Sequence, residues 1–281
     1  MIGGILTAMV TPFDADGRVN EEAFVDLLHH LLENGSDGVV VAGTTGEGAT
    51  MADAEKLRLF ELAVAEAGGA TVIAGTGSND TAHSIELTER AGELGVDGML
   101  VVTPYYNKPN RRGIVAHFSA VAQATDKPIV VYNIPGRCVV DIPNELLAEL
   151  AQIENIAAVK QARFEDIAPI DGMDLLAGND ETLAECLDKG AAGGICVASH
   201  IVGAEMRRMI DDPESRHDIS DGLRDVFAAM GVTINPIPVK TALRMLGHDV
   251  GGFRLPMVEA SEEESEEIRV VLDRHGLLSA V

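Results

Sequence analysis

A chain of 281 residues, 46% of them hydrophobic, is long enough for one large α/β domain with a full core. Its 45 acidic against 21 basic residues, a net charge of −24, argue against nucleic acid or an anionic membrane as partners. Cys138, Cys186 and Cys196 are widely spaced, give no sign of a disulfide framework or zinc site, and are expected to be reduced and partly buried.

In chain order, the N-terminal stretch lacks the basic start of a signal peptide and meets Pro12 after a short apolar run. No later segment has the unbroken apolar length of a membrane helix, so a cytoplasmic protein is expected. Short β-rich runs are predicted as strands at 5–10, 38–42, 71–75, 98–102, 129–132, 156–160, 174–178 and 193–197. Helical patterns lie between them at 20–34, 52–66, 81–94, 113–124, 143–151, 165–170 and 181–189, the sixth short and poorly patterned. This alternation predicts a (β/α)₈ TIM barrel, with a doubly wound open sheet as the other arrangement of the same units. Beyond residue 197 only helices are expected, at 204–209, 215–230, 238–246 and 261–275. The organisation predicted is a barrel over 1–210 and a helical C-terminal extension over 211–281.

A barrel gathers its functional groups at the C-terminal ends of its strands. The run Ile156-Ala157-Ala158-Val159 ends in Lys160, and apolar surroundings favour a neutral, nucleophilic amine suited to Schiff-base chemistry. A lysine snorkelling from a strand end is the bland alternative. Other strand ends offer Thr44 and Thr45, Tyr105 and Tyr106, Tyr132 with Arg137, Gly178 with Asn179 and Asp180, and Ile195. Imine formation with a keto acid needs an amine, a proton carrier and donors for the carboxylate. Lys160, Tyr132 and the Thr44–Thr45 turn supply one of each. The glycine-rich turns Gly43-Thr44-Thr45-Gly46 and Gly75-Thr76-Gly77-Ser78 complete no nucleotide fingerprint, and the scattered histidines suggest no metal site. The glutamates of 259–267 read as a solvated helix face.

Four motifs in this order resemble the pyruvate-dependent class I aldolases of the dihydrodipicolinate synthase and N-acetylneuraminate lyase family. They are Gly43-Thr44-Thr45-Gly46-Glu47, Thr103-Pro104-Tyr105-Tyr106-Asn107-Lys108-Pro109, Tyr132-Asn133-Ile134-Pro135-Gly136-Arg137, and Lys160. Arg137, Asn235-Pro236-Ile237-Pro238-Val239-Lys240 and Arg254-Leu255-Pro256-Met257 are most similar to the dihydrodipicolinate synthase branch. The resemblance implies catalytic roles for Lys160 as the imine-forming amine, Tyr132 as proton donor and acceptor, and Thr44 and Tyr106 as a relay, with Tyr106 reaching into a neighbouring subunit. It implies that Thr45 and the Ile195 backbone hold pyruvate, that Gly178 borders the substrates, and that Arg137 meets the carboxylate of L-aspartate 4-semialdehyde. It further implies a homotetramer built as a dimer of dimers, with no metal or organic cofactor beyond the covalent pyruvate imine.

Within the resemblance, an aldolase cleaving 2-keto-3-deoxy sugar acids or N-acetylneuraminate is the nearest alternative, and a non-catalytic binding barrel a more distant one. The chain departs from the family pattern at Gly48, where serine is common, at Cys138, where threonine is usual, and after the lysine, where Gln161-Ala162-Arg163-Phe164-Glu165-Asp166 follows. Lys56 and His83 stand at positions that hold an inhibitory lysine in sensitive relatives. A cation at Lys56 predicts weak or absent feedback by lysine.

Overall fold

The computed structural model describes residues 2–278; Met1 and residues 279–281, at the ends of the predicted barrel and extension, lie outside the described residues. Eight short runs rich in Val, Ile, Leu and Ala form the strands β1 (Gly4–Ala8), β2 (Gly38–Val41), β3 (Thr71–Gly75), β4 (Gly98–Val102), β5 (Ile129–Asn133), β6 (Ile156–Gln161), β7 (Asp174–Ala177) and β8 (Gly193–Cys196). Every strand pairs in parallel with its sequence neighbours, and β1 also pairs with β8, closing the barrel. This is the predicted (β/α)₈ architecture rather than an open sheet.

The helices that cover β1 to β5 are α1 (Glu21–Glu33), α2 (Asp53–Glu66), α3 (Thr81–Glu93), α4 (Arg111–Ala122), a single turn α5 (Pro135–Cys138), and α6 (Asn144–Leu150). After β7 come α7 (Leu183–Asp188), then α8 (Ser199–Asp211), α9 (Arg216–Gly222), α10 (Arg224–Ala229), α11 (Ile237–Met245) and α12 (Glu262–Arg274). Side chains start several of them: Asn20, Asp80, Asn110 and Ser261 each accept a backbone N–H of the first turn. Among the described residues no helix is long and apolar enough to cross a membrane.

The predicted helix over 165–170 does not form. Asp166 takes a left-handed φ of 52°, Pro169 has no N–H to donate, and Ile170 instead bridges to Met173. Side chains from neighbouring elements satisfy the segment's carbonyls: Arg163 and Asn144 both donate to the Asp166 oxygen at 3.0 Å, and Lys189 Nζ donates to that of Ile167 at 2.8 Å. The predicted helix over 215–230 is divided into α9 and α10 beside Gly222, and the helix predicted at 204–209 begins earlier, at Ser199.

Two apolar layers hold the barrel. One lies between the outer strand faces and the helices and includes Phe24, Leu59, Phe60, Phe118 and Leu147. The other fills the barrel interior with Leu6, Val40, Ile73, Leu100, Val130, Ala158, Leu176 and Ile195. Because side chains alternate along a strand, Ala158 facing inward places Lys160 and Ala162 on the inward side as well. Tyr132 shares Val130's inward phase on the neighbouring strand. All three cysteines are free, as expected, and buried more completely than the partial burial expected.

Candidate active site

Strand register brings the amine and the phenol together. Tyr132 on β5 is paired directly with Lys160 on β6, both facing the barrel interior, and Lys160 Nζ lies 4.3 Å from the centre of the Tyr132 ring. The two residues are each 5% exposed, so the space between them is largely shielded from bulk water. The small Ala158 and Ala162 flank Lys160 on the same face and leave room for its stem. Backbone bonds anchor the tyrosine: the Thr103 N–H and hydroxyl both donate to the Tyr132 carbonyl, at 3.0 and 2.9 Å.

The Tyr132 ring opens onto a cavity of about 580 Å³ at the C-terminal mouth of the barrel. Thr44, Tyr105, Arg137 and Asn235 line it too. Thr45 is 3% exposed and turned toward Asn235, whose Nδ2 donates to its hydroxyl at 2.9 Å. Arg137 is exposed on the single turn α5 and donates to the Asn235 carbonyl at 3.3 Å. Ile195 is fully buried in the interior layer. Gly178 packs against β6, where a Cβ would come within 2.7 Å of the Gln161 carbonyl, and its N–H donates to that oxygen at 2.9 Å. Tyr106 stands apart: it is 87% exposed and holds a φ of 71°, a conformation that a bulky residue rarely adopts. It does not line the cavity of this single chain.

The cavity has a charged flank at the start of α2 and α3. Asp53 receives His83 Nε2 at 2.9 Å and Lys56 Nζ at 3.5 Å, and all three residues line the cavity. Burial pushes the Asp53 carboxyl up, but His83 and Lys56 outweigh it and hold the group below its ordinary value. Among the described residues no group of three or more His, Cys, Asp or Glu side chains is arranged to hold a metal ion.

The model of the dihydrodipicolinate synthetase family matches residues 1–275. The chain belongs to that family. It is 45% identical to a 4-hydroxy-tetrahydrodipicolinate synthase of Symbiobacterium thermophilum, covering 98% of this chain and 99% of the relative. A crystal structure of dihydrodipicolinate synthase from Cyanidioschyzon merolae with lysine bound is 40% identical, covers 98% of this chain and 99% of its own, and superposes with a TM-score of 0.94. The chloride-inhibited enzyme from Acinetobacter baumannii, complexed with pyruvate, is 34% identical with a TM-score of 0.95 over 99% of this chain and 100% of its own.

The chain's departures from the family pattern have local causes. Gln161 accepts a hydrogen bond from Asn133 Nδ2 at 3.0 Å, tying the residues that follow Lys160 and Tyr132 to one another. Asn133 also binds Asp141 and both backbone groups of Ile142, so the exits of β5 and β6 are one hydrogen-bonded unit. At Gly48 a Cβ would lie 2.1 Å from the Ala42 carbonyl oxygen, closer than any side chain permits. Cys138 is buried against the cavity wall, and burial pushes its thiol up to about 11, which keeps it protonated and unreactive.

Three groups that bear on the site stand in the sequence without an assigned role. Asn235 was visible only as part of a motif. Glu47 turns into a buried ion pair with Lys240 at 3.1 Å. Asp180 is buried, each oxygen accepting one backbone N–H, from Val197 at 2.9 Å and Ala198 at 3.0 Å. The Asn-Asp pair that ends β7 marks Asp180; Glu47 and Asn235 stand in motifs, but nothing local marks the distant partner each takes.

Proposed function

We propose that this protein condenses pyruvate with L-aspartate 4-semialdehyde to 4-hydroxy-tetrahydrodipicolinate, opening the diaminopimelate route to lysine. The observation that carries the proposal is the paired placement of Lys160 and Tyr132 on adjacent strands, side chain against side chain, with the Tyr132 ring on the wall of a cavity that Thr44 and Arg137 also line.

The Lys160 amine adds to the pyruvate ketone to form a carbinolamine, and loss of water gives the imine. Tyr132 carries protons to and from the oxygen that leaves. Loss of a methyl proton converts the imine to an enamine, whose carbon attacks the aldehyde; the new alkoxide takes a proton. The amine of the adduct then attacks the imine carbon, closes the ring and expels Lys160. The Thr44 hydroxyl extends the proton path, and Tyr106, exposed on a strained backbone, is proposed to complete it in the site of a second copy. Thr45 and the Ile195 backbone hold the pyruvate carboxylate, with Gly178 bordering the pocket, and Arg137 pairs with the semialdehyde's carboxylate. The imine supplies the electron sink, so the reaction as proposed draws on no metal or organic cofactor.

A carboxylate-pairing guanidinium at the mouth favours a small semialdehyde over a polyol chain, which needs hydroxyl partners. The assembly proposed is a homotetramer made of two tight dimers, working in the cytoplasm. Lys56, although partnered by Asp53, keeps a cation where an incoming lysine would place its own, so feedback by lysine is proposed to be weak or absent. Strong inhibition by millimolar lysine would overturn that point alone.

Borohydride reduction in the presence of pyruvate tests the chemistry. A mass adduct on Lys160 is expected, and its absence would sink the aldolase reading. Comparing turnover of aspartate semialdehyde with cleavage of keto-deoxy sugar acids tests the second substrate; faster sugar-acid cleavage would reverse the assignment and leave the mechanism standing.

A further inference from the structure

A hydroxyl that is to hold a carboxylate must donate its proton to it, and a threonine hydroxyl carries one proton and two lone pairs. Left free, that proton turns toward whichever acceptor is nearest. Thr45 is 3% exposed, and its hydroxyl oxygen already receives one hydrogen bond, from Asn235 Nδ2 at 2.9 Å. Occupying a lone pair from one side leaves the O–H to point elsewhere.

Asn235 comes from the segment before α11, 190 positions away in sequence from Thr45. Its side-chain oxygen is buried with no partner among the described residues, so the bond to Thr45 is what orders its amide. Its backbone carbonyl accepts Arg137 Nη2 at 3.3 Å. One residue of the C-terminal extension thus touches both groups assigned to substrate carboxylates: the keto-acid end through its side chain, and the semialdehyde end through its main chain.

We propose that Asn235 is a positioning residue for the keto acid: its amide N–H fixes the Thr45 hydroxyl as a donor aimed at the pyruvate carboxylate. The proposal rests on the assignment of Thr45 to pyruvate given above. It ties the segment before α11 to substrate binding at the barrel mouth. It also makes the direction of the hydrogen bond, and not merely its existence, the functional property.

Direction is testable because aspartate has the shape of asparagine without the donor. In Asn235→Asp the carboxylate accepts the Thr45 proton, withdrawing it from the substrate, and adds a negative charge beside a bound anion. The pyruvate KM is expected to rise about 100-fold or more, while the semialdehyde KM moves less than about threefold. In Asn235→Ala the hydroxyl is freed but not reversed, and the pyruvate KM is expected to rise only about 5- to 10-fold. The order of pyruvate binding, Asn tightest, then Ala, then Asp, should also appear in the pyruvate concentration that half-saturates borohydride trapping, read by intact mass.

Equal effects of Asp and Ala, an Asp variant that binds pyruvate like the unaltered protein, or a fall in kcat with the pyruvate KM unmoved would each overturn the proposal. Should Asn235 variants not fold, Thr45→Val removes the same bond from the other side and must raise the pyruvate KM at least 5-fold; an unchanged KM again overturns it. The two readings fail separately. If the unaltered protein forms no pyruvate adduct on Lys160, the proposed function fails. If it does, and Asn235→Asp leaves pyruvate binding intact, only the orientation of Thr45 fails.

Discussion

Three lysines are buried among the described residues, and two of them, Lys160 and Lys240, have surroundings that differ in the way expected of a reactive amine and a structural ion. Lys240, on α11, is 0% exposed, and its Nζ donates to the Thr11 carbonyl at 3.0 Å, to Glu47 Oε1 at 3.1 Å and to the Gly252 carbonyl. Phe13 and Phe253 add ring faces 4.6 and 4.9 Å away. Burial pushes the Lys240 ammonium's pKa down, and Glu47 works against that shift. Lys160 is also buried, but its Nζ finds a ring face and no hydrogen-bond acceptor among the described residues. Three acceptors commit an ammonium's three protons; an amine that must attack a ketone keeps its lone pair uncommitted.

The largest effect expected from this contrast is on catalysis. Lys160→Ala should lower turnover by at least about 10⁴-fold and abolish the borohydride adduct, since the covalent step has no substitute. A pyruvate adduct found on Lys240 in that variant would erase the distinction between the two lysines. Stability should respond in the opposite place. Lys240→Met leaves the Glu47 carboxylate, whose side chain is 2% exposed, buried without its counter-charge, a loss of about 3–5 kcal/mol in denaturant unfolding. Adding Glu47→Gln should recover part of that loss, because the uncompensated charge then disappears. If Lys240→Met unfolds at the same denaturant concentration as the unaltered protein, the ion pair does not hold the extension to the mouth.

The aromatic neighbours carry the same contrast at smaller scale. Tyr132→Phe keeps the ring beside Lys160 and removes only the phenol, so kcat should fall about 10²-fold with little change in melting temperature. A large drop in melting temperature with kcat preserved would make Tyr132 a packing residue, like the rings around Lys240.

How much of this was legible in the sequence follows from how far apart the partners lie. Lys160 and Tyr132 were readable because a period-two pattern sets which face a strand residue takes, and a barrel turns facing into meeting. Arg137 and the threonine pair were readable as exits of strands. The Glu47–Lys240 pair and the Asn235–Thr45 bond join residues 193 and 190 positions apart, where no local pattern predicts pairing. The sixth helix failed for the same reason: Arg163, Asn144 and Lys189 replace its backbone bonds from other elements, a substitution invisible in the segment's own composition.

The finest test concerns the carboxylate near each lysine. Glu47 points an oxygen at Lys240, whereas Asp180 gives both of its oxygens to the N–H groups of Val197 and Ala198. Burial pushes the Asp180 carboxyl up to about 6, more than those two N–H groups can offset, with Glu181 adding to the rise and Lys160 opposing it only weakly. A folded-state value above the unfolded one means that the native protein holds a proton which the unfolded chain has released. Stability therefore falls as pH rises from about 4 to about 6, with a slope of at most one proton, and levels off above that. Asp180→Asn removes this contribution, while the buried His117 and His200, both pushed down to about 4, titrate alike in the two proteins and cancel in the difference. Denaturant midpoints measured from pH 4 to 7 should thus show the unaltered protein losing stability relative to Asp180→Asn across that window. The opposite slope would mean that Asp180 is held ionised in the folded protein, and the contrast between the carboxylates near the two lysines collapses.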